Sequence, residues 1–335
     1  MRAIVLHEFG GPEKFEIMER PIPAPKAGAV LIRNKVIGVH YSDIRQREGS
    51  GIFAKAPLPA VIGFQVAGTI EAIGEGVKGF RPGMRVAAQL ISKPADLGKY
   101  SAGGYAECSV ADVDNVWVLP ERLSFEQSMA YLGLTATKLL YDHFQPVAPD
   151  ATVLIHGAAG GVGIGLIQIA KRAGNKVIAL LRRDEGRVEY CLESGADHVL
   201  LINREGWVDE VRKLTGGRGA DVSFNSLAGD TVAQDIDALK YAGTYVSTHM
   251  WQGWPQNMAW AGKATMACTT FQFTRTADLL RVGPAADKSR AYRDDFVRTA
   301  KLNRRIAAYR LEDVAKAHVD LETGRTLGKI ILTVD

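Results

Sequence analysis

The segment VLIHGAAGGVGIGLIQIAK, residues 153–171, constrains the fold more than any other part of this chain. Its apolar start predicts a β-strand, its glycines predict a tight turn, and its second apolar stretch predicts a helix. Strand, glycine turn and helix in this order carry the dinucleotide fingerprint G-x-G-x-x-G, with Ala158 at the first glycine position. Alanine is small enough to replace glycine where only bulk is restricted. We therefore expect the turn to bind a cofactor pyrophosphate through Ala159, Gly160, Gly161 and Val162.

The pattern around this segment predicts two domains in a chain of 335 residues. Alternating and β-branched stretches, punctuated by Gly and Pro, predict a small β-rich domain over residues 1–124. From Ser124, a helix N-cap, a helix pair precedes alternating strands and helices, which predicts a doubly wound parallel sheet over residues 125–271. Residues 272–335 end in a helix and a strand, and we expect them to complete the β-rich domain.

Composition narrows the class of protein. The formal net charge is +4 and basic residues are interspersed with acidic ones, which suits an anionic small ligand better than nucleic acid. Three widely spaced cysteines predict no disulfide framework and a reducing compartment. The N-terminus lacks the apolar run of a signal peptide, and the longest apolar run is interrupted by His156 and glycines. We expect a cytoplasmic protein with no membrane span.

The end of the next predicted strand, VIALLRRDEGR, bears on the choice of cofactor. A site for NAD usually carries Asp or Glu here to bind the ribose 2′-hydroxyl. This chain has Arg182 and Arg183, with Arg187 one turn further, and a guanidinium group suits a 2′-phosphate. We therefore predict NADPH, bound by these three arginines. Asp184 leaves open a displaced acidic residue, and an exposed, charged helix start is the structural alternative.

Several motifs resemble those of one family: GVHYSDIRQREG, GFQVAGTIEAIGEGVKGFRPGMRV, GGYAECSV, GLTATKLL, HGAAGGVG, LTGGRGADV and GRTLGKIIL. Over nearly the whole length, the chain resembles the zinc-free quinone oxidoreductase (zeta-crystallin type) branch of the medium-chain dehydrogenases/reductases. An alanine at the start of AAGGVG is characteristic of that branch. The resemblance implies an α/β fold with a GroES-like β-rich catalytic domain and a Rossmann domain. It also implies NADPH and a homodimer or homotetramer.

Metal ligands are missing from the positions where zinc-dependent relatives carry them. Those relatives have a Cys ligand where this chain has His40, and a His-Glu pair where it has Phe64 and Gln65. A catalytic zinc needs about three converging N, S or O ligands. The relatives' structural zinc needs four closely spaced cysteines, and LISKPADLGKYSAGG contains none. We expect no metal.

The resemblance also suggests residues around the nicotinamide. In HYSDIRQR, His40 or Tyr41 could donate a hydrogen bond to the substrate carbonyl, and Arg45 or Arg47 could contact phosphate or substrate. A packed core position is the structural alternative for His40. In the same stretch, residues 42 and 43 (Ser-Asp) are expected to cap a helix that begins one residue later.

Further cofactor candidates match family positions or end predicted strands, where the crevice of a doubly wound sheet lies. They are Thr135, Asn225 with its neighbour Ser226, Thr248, His249, Met250 and Lys329. A hydrogen bond within its own helix is the alternative for Thr135, and a solvated strand-end charge is the alternative for Lys329. Trp251, Trp254 and Trp260 follow closely, where they could stack on a flat quinone or pack in a core or interface.

The predicted reaction follows from the missing metal. Zinc in an alcohol dehydrogenase polarises a C–O group, whereas a quinone or an activated C=C bond is electrophilic already. We expect hydride transfer from NADPH to a quinone, with reduction of enones, alkenals or enoyl thioesters as the alternative. Enoyl-thioester reductases generally carry a tyrosine where EGSGIF offers Phe53, which disfavours that acceptor. A structural or RNA-binding role is the non-enzymatic alternative, and no aromatic-basic stripe supports it.

Overall fold

The computed structural model describes residues 1–50, 53–90, 103–143, 147–227, 229, 231–247, 264, 270–273, 284–299, 302 and 304–335. The chain divides into two compact units, the first comprising residues 1–132 and 304–335 and the second residues 133–303. The domain boundaries expected after residues 124 and 271 lie earlier in the chain than the observed divisions, which follow residues 132 and 303. The second division lies later than expected because residues 284–299 form a helix that belongs to the second unit, where Asp295 pairs with Arg172.

The elements are numbered in chain order. The strands are β1 (Arg2–Leu6), β2 (Phe15–Glu19), β3 (Ala29–Val39), β4 (Ala60–Val61), β5 (Gln65–Ile73), β6 (Arg85–Gln89), β7 (Cys108–Asp112), β8 (Val116–Val118), β9 (Thr152–His156), β10 (Lys176–Leu181), β11 (His198–Leu201), β12 (Ala220–Asn225), β13 (Leu239–Ser247), β14 (Thr270–Phe273), β15 (Ile306–Arg310) and β16 (Lys329–Thr333). The helices are α1 (Tyr41–Glu48), α2 (Phe125–His143), α3 (Gly161–Arg172), α4 (Arg187–Glu193), α5 (Trp207–Leu214), α6 (Thr231–Ala238), α7 (Pro284–Thr299) and α8 (Val314–Glu322).

Largely antiparallel sheets form the first unit. One has the strand order β2-β1-β4, and the other has the order β15-β16-β3-β5-β6-β8, with β7 also pairing with β3. Alternate side chains of β3 and β5, such as Ile32, Ile37 and Val66, are buried in one apolar core. In the antiparallel register, Ile330 of β16 lies opposite Val39 of β3. This pairing brings the start of the last strand beside the residue that follows β3.

A six-stranded sheet forms the centre of the second unit, with the order β11-β10-β9-β12-β13-β14 and parallel pairing throughout. Numbered from β9, this is the order 3-2-1-4-5-6 of a doubly wound dinucleotide fold. The strand order reverses between β9 and β12, so the ligand crevice of such a fold lies at the carboxyl ends of these two strands. The predicted α/β fold class is confirmed.

Local differences from the sequence-based expectation have simple physical causes. The expected helix pair is wrong, because α2 continues through Gly133, whose carbonyl accepts a hydrogen bond from the Thr137 hydroxyl at 3.0 Å. The N-cap at Ser124 is confirmed, since its hydroxyl and the Gln127 side chain form a reciprocal capping box. The helix expected to run through DALKY ends at residue 238, because Leu239 pairs with β12.

Cys108 and Cys191 are buried free thiols, and Cys268 lies outside the described residues. Each helix in the described ranges is either too short or too polar to cross a membrane.

Candidate active site

The glycine turn follows β9 and ends at the N-terminus of α3. Gly157 adopts the left-handed conformation, with φ +59°, whereas Ala158 does not. Ala158 is fully buried. The alanine in the fingerprint is therefore tolerated, because the sharp change of chain direction falls on the preceding glycine.

Two glycines of the turn are present for different reasons. A Cβ on Gly163 would lie 2.5 Å from the Gly157 carbonyl oxygen and 2.6 Å from the Ala158 backbone, so this position needs glycine for packing. A Cβ on Gly161 would meet no atom within 4 Å. Packing of the described chain therefore does not require glycine at position 161, and the open space lies over a helix N-terminus with positive partial charge. This cradle fits a cofactor pyrophosphate.

The predicted arginines lie at the end of β10, the strand next to β9. Arg182 and Arg183 are exposed, whereas Arg187 is buried and donates to Glu185 at 2.7 Å. Asp184 accepts a hydrogen bond from the backbone N–H of residue 188 at 3.3 Å, so its carboxylate caps α4. This strand end therefore presents two exposed guanidinium groups, of which Arg183 lies 3.5 Å from Glu185, and a carboxylate that caps the next helix.

A buried polar network joins the ends of β9 and β12. His156 Nε2 lies 2.6 Å from Asp235 Oδ1, and both side chains are fully buried. Asn225 donates from its amide nitrogen to Asp235 at 2.6 Å and to Thr231 at 2.8 Å. The Asn225 side chain therefore positions the loop after β12, and its contact with a cofactor stays a prediction. Sequence reasoning missed His156 and Asp235, although His156 directly precedes the glycine turn.

Ser226 lies beside the glycine turn, because a Cβ on Gly157 would lie 3.3 Å from its hydroxyl oxygen. The structure thus brings together the glycine turn, the β10 arginines and the residues after β12 in the second unit. Thr135 lies in α2 and its side chain is outside the described atoms. Thr248, His249, Met250 and the three tryptophans also lie outside the described residues.

The first unit holds a second set of candidates around His40. This residue is the N-cap of α1, so the expectation of a helix beginning at Ile44 is wrong. The helix begins at Tyr41, because Asp43 in its first turn accepts the His40 backbone N–H at 2.8 Å. Lys329 Nζ lies 2.7 Å from His40 Nε2 and donates to the residue-39 carbonyl at 2.9 Å. The lysine predicted as a solvated or cofactor-binding charge is therefore buried in the first unit.

Burial perturbs both basic groups of this pair. It lowers the pKa of Lys329 to about 7, which Asp43 partly offsets and the guanidinium of Arg304 reinforces. Burial, followed by the nearby Lys329, also lowers the pKa of His40. Titratable groups with perturbed pKa values that touch one another are typical of functional sites.

The other candidates on α1 have separate environments. Tyr41 is exposed and Arg45 lies over its ring, 5.6 Å from the centroid. Arg47 is buried and donates to Glu322 of α8 at 2.8 Å and to the Gly10 carbonyl at 2.9 Å. Arg47 therefore has a structural ion pair, which does not agree with its predicted contact with phosphate or substrate.

The side chains at the positions of a catalytic zinc do not fit a zinc site. Phe64 packs against Phe53, with ring centroids 5.8 Å apart, and the buried Gln65 is a weak ligand. His40 has the Lys329 ammonium at its Nε2 atom. Among the described residues, no three His, Cys, Asp or Glu side chains cluster as a metal site would require. The stretch where a structural zinc lobe would lie falls partly outside those residues.

Comparison with known proteins agrees with this fold. Residues 26–121 match a family model described as "Alcohol dehydrogenase GroES-like domain", and residues 161–267 match one described as "Zinc-binding dehydrogenase". A quinone oxidoreductase of Sus scrofa is 37% identical over 251 residues, covering 73% of this chain and 72% of that protein.

Solved structures cover the whole chain. An Escherichia coli quinone oxidoreductase complexed with NADPH has a TM-score of 0.86 at 26% identity, over 100% of both chains. A structure described as an NAD-dependent alcohol dehydrogenase has a TM-score of 0.88 at 29% identity, over 100% of both chains. The chain therefore belongs to the quinone oxidoreductase branch of the medium-chain dehydrogenase/reductase superfamily and is an oxidoreductase with a nicotinamide cofactor.

Proposed function

We propose that this protein uses NADPH to reduce a quinone and that it works without zinc. The observation that carries the proposal is the open space where a Cβ of Gly161 would lie, at the N-terminus of α3, beside exposed Arg182 and Arg183 on the adjacent strand end. Bound NADPH supplies the hydride at its nicotinamide ring. The chain itself supplies backbone dipoles for the pyrophosphate and two guanidinium groups for a 2′-phosphate.

The choice of acceptor follows from the groups at the catalytic position. Alcohol oxidation by this superfamily's metal chemistry needs a Lewis acid, and Phe64 and Gln65 cannot complete one around His40. A quinone needs only correct placement, a hydride and a proton, because its carbonyl groups withdraw electrons from the ring. Activated alkenes such as enones and alkenals share this property and form the second class of acceptor in the test.

We further propose a cytoplasmic homodimer or homotetramer with no nucleic-acid partner, a proposal that rests on family resemblance and on basic residues that are interspersed with acidic ones along the sequence. Light scattering that gave the mass of one chain would contradict both assemblies. Localisation of a tagged chain outside the cytoplasm would contradict the compartment.

The test is steady-state kinetics of the purified protein with NADPH or NADH and with 1,4-benzoquinone, 9,10-phenanthrenequinone, an alkenal and crotonyl thioester. We expect kcat/KM to be highest with a quinone and higher with NADPH than with NADH. Metal analysis and treatment with a chelator should find no stoichiometric zinc and no loss of activity. A preference for the alkenal would replace the quinone as acceptor, and chelator-sensitive activity with bound zinc would overturn the metal-free mechanism.

A further inference from the structure

A pair of basic side chains in the first unit is built into the fold. Lys329 begins β16 and lies across the sheet from His40, which follows β3. Lys329 is only 6% exposed, and two of its ammonium N–H groups are accounted for by the Val39 carbonyl and His40 Nε2. The His40 side chain is 26% exposed, although its Nδ1 atom is buried.

Gly38 provides the space in which the pair meets. A Cβ at this position would lie 3.1 Å from both Lys329 Nζ and His40 Cε1. The backbone of Gly38 is not left-handed, so a side chain here would crowd the pair and make it move by a few tenths of an ångström, without straining the backbone. Glycine at this position therefore leaves the pair room to meet at its observed distance.

Asp43 provides a negative charge behind the pair. Its side chain is fully buried, and its Oδ2 lies 3.5 Å from His40 Nδ1. The same oxygen accepts the Tyr105 hydroxyl at 3.0 Å, whereas Oδ1 has no hydrogen-bond partner among the described residues. An incompletely satisfied buried carboxylate favours a proton on the neighbouring imidazole or ammonium group.

Residues on α1 and α8 fix the direction of the hydrogen bonds to Asp43. Arg47 has only donors, so His318 Nδ1 must accept from it at 3.3 Å. Burial lowers the pKa of His318 to about 4, so the ring is neutral and its proton is on Nε2, which donates to the Tyr105 oxygen at 2.9 Å. The Tyr105 hydroxyl then donates to Asp43. This network holds the carboxylate in place without supplying it a proton.

The charges around the pair allow it to gain and lose one proton near neutral pH. Desolvation favours the neutral form of Lys329, Asp43 favours its charged form, and Arg304 opposes the charge from the other side. A proton donor whose pKa lies near the working pH can both release a proton and recover it. By contrast, a lysine that binds phosphate needs a permanent charge.

We propose that the Lys329–His40 pair donates the proton that the reduced quinone oxygen takes, so that Lys329 is a catalytic residue rather than a cofactor-phosphate contact. The proposal rests on the proposed quinone reductase function. The hydride brings two electrons from the nicotinamide, whose C–H bond breaks. The hydride completes one O–H bond of the hydroquinone. An N–H bond of the Lys329 ammonium group then breaks as the second O–H bond forms, and the pair recovers a proton from water. The sum is one NADPH, one quinone and one proton to NADP⁺ and hydroquinone.

The test compares Lys329→Met, Lys329→Arg and His40→Gln with wild type and with Lys213→Met, a control at an exposed lysine. In Lys329→Met we expect kcat with 1,4-benzoquinone to fall by about 100-fold or more. The NADPH Kd, measured by fluorescence, should stay within about twofold of wild type, because no phosphate contact is lost. Lys329→Arg should not restore kcat, because arginine keeps the charge but does not release a proton.

The pH dependence separates proton donation from a structural role. Wild-type kcat should fall as the pH rises through about 7, where the pair loses its proton, and this dependence should vanish in Lys329→Met. An NADPH Kd raised more than about tenfold with kcat unchanged would show that Lys329 binds the cofactor and would overturn the proposal. Restoration of kcat by Lys329→Arg would also overturn it.

A measurement without cofactor separates this proposal from the proposed function. NMR titration of the Lys329 ε-carbon in the apo protein, assigned with Lys329→Met, should give a midpoint near 7 that moves in His40→Gln. A midpoint at the ordinary lysine value near ~10.4 would overturn the proton-donor role even if the enzyme reduces quinones. If wild type reduces none of the acceptors, the proposed function fails and the donor role fails with it. An active wild type with an equally active Lys329→Met overturns the donor role alone.

Discussion

Replacement of Gly161 by alanine separates cofactor binding from folding. In the described structure the added Cβ meets no atom within 4 Å, and the residue is the first of α3 with φ outside the left-handed region. A Gly→Ala change at a compatible position reduces the freedom of the unfolded chain and stabilises by roughly 0.4–1 kcal/mol. The free energy of unfolding of the apo protein should therefore be unchanged or slightly higher.

The same methyl group should impair cofactor binding. The pyrophosphate of a bound dinucleotide approaches the backbone closely at this turn, so the Cβ occupies space that the phosphate needs. We expect the NADPH Kd to rise by about tenfold or more, which corresponds to about 1.4 kcal/mol. Fluorescence titration with NADPH measures this change, and urea denaturation of the apo protein measures stability.

Gly163→Ala is the matched control with the opposite expectation. Its Cβ would lie 2.5 Å from the Gly157 carbonyl oxygen, a backbone atom that cannot move aside, so overpacking should destabilise the apo protein by roughly 1–3 kcal/mol. The reasoning is refuted if Gly161→Ala binds NADPH as tightly as wild type, because the open space would then not be the pyrophosphate site. Loss of apo stability in Gly161→Ala would refute the statement that the space is open.

The remaining predictions concern the β10 arginines and His318. Arg183→Ala should lower kcat/KM for NADPH by about tenfold or more, because the removed guanidinium binds only the 2′-phosphate, and should leave kcat/KM for NADH within about twofold. The control Lys213→Ala should change neither value. An unchanged ratio of the NADPH and NADH values in Arg183→Ala would contradict the assignment. Burial lowers the pKa of His318 to about 4 in the folded state, below the ordinary histidine value near ~6.5, so the unfolded chain binds more protons between these values. Stability therefore falls as the pH falls through this window. The loss from this one group is roughly 3 kcal/mol between neutral pH and pH 4, and urea unfolding of His318→Gln should show a correspondingly shallower pH dependence. Equal slopes in wild type and variant would show that His318 is not the titrating group.

The parallel sheet could be predicted because its signals are local. β10 spans the predicted KVIALL, and α3 ends at Arg172 as expected, since apolar runs, glycines and helix periodicity lie within a few residues of each other. The start of α1 could not be predicted, because several residues in HYSDIRQR are good caps and the structure selects His40 with Asp43. Helix α7 was missed because its charged surface sequence carries little apolar periodicity.

The residues of the candidate site also fall into those that the sequence predicted and those that it did not. The glycine turn and the β10 arginines were found because the fingerprint places them at fixed distances along the chain. The contact between His40 and Lys329 joins residues 289 positions apart, and that between Tyr105 and His318 joins residues 213 apart. Such contacts depend on the antiparallel pairing of β16 with β3 and on the packing of α8, and no short-range pattern encodes them.

The chemistry at position 40 limits the acceptors that this chain can reduce. A zinc ion stabilises an alkoxide strongly enough for reversible oxidation of unactivated alcohols. A lysine with a pKa of about 7 beside an imidazole offers one transferable proton and a positive charge that Asp43 partly balances. This pair therefore stabilises an oxyanion less strongly than a zinc ion does. The proposed Lys329–His40 proton donor therefore suits acceptors that are already electron-poor, such as quinones and activated alkenes. Simple ketones and alcohols should react slowly even when they bind, because their oxyanions need more stabilisation than one shared proton provides.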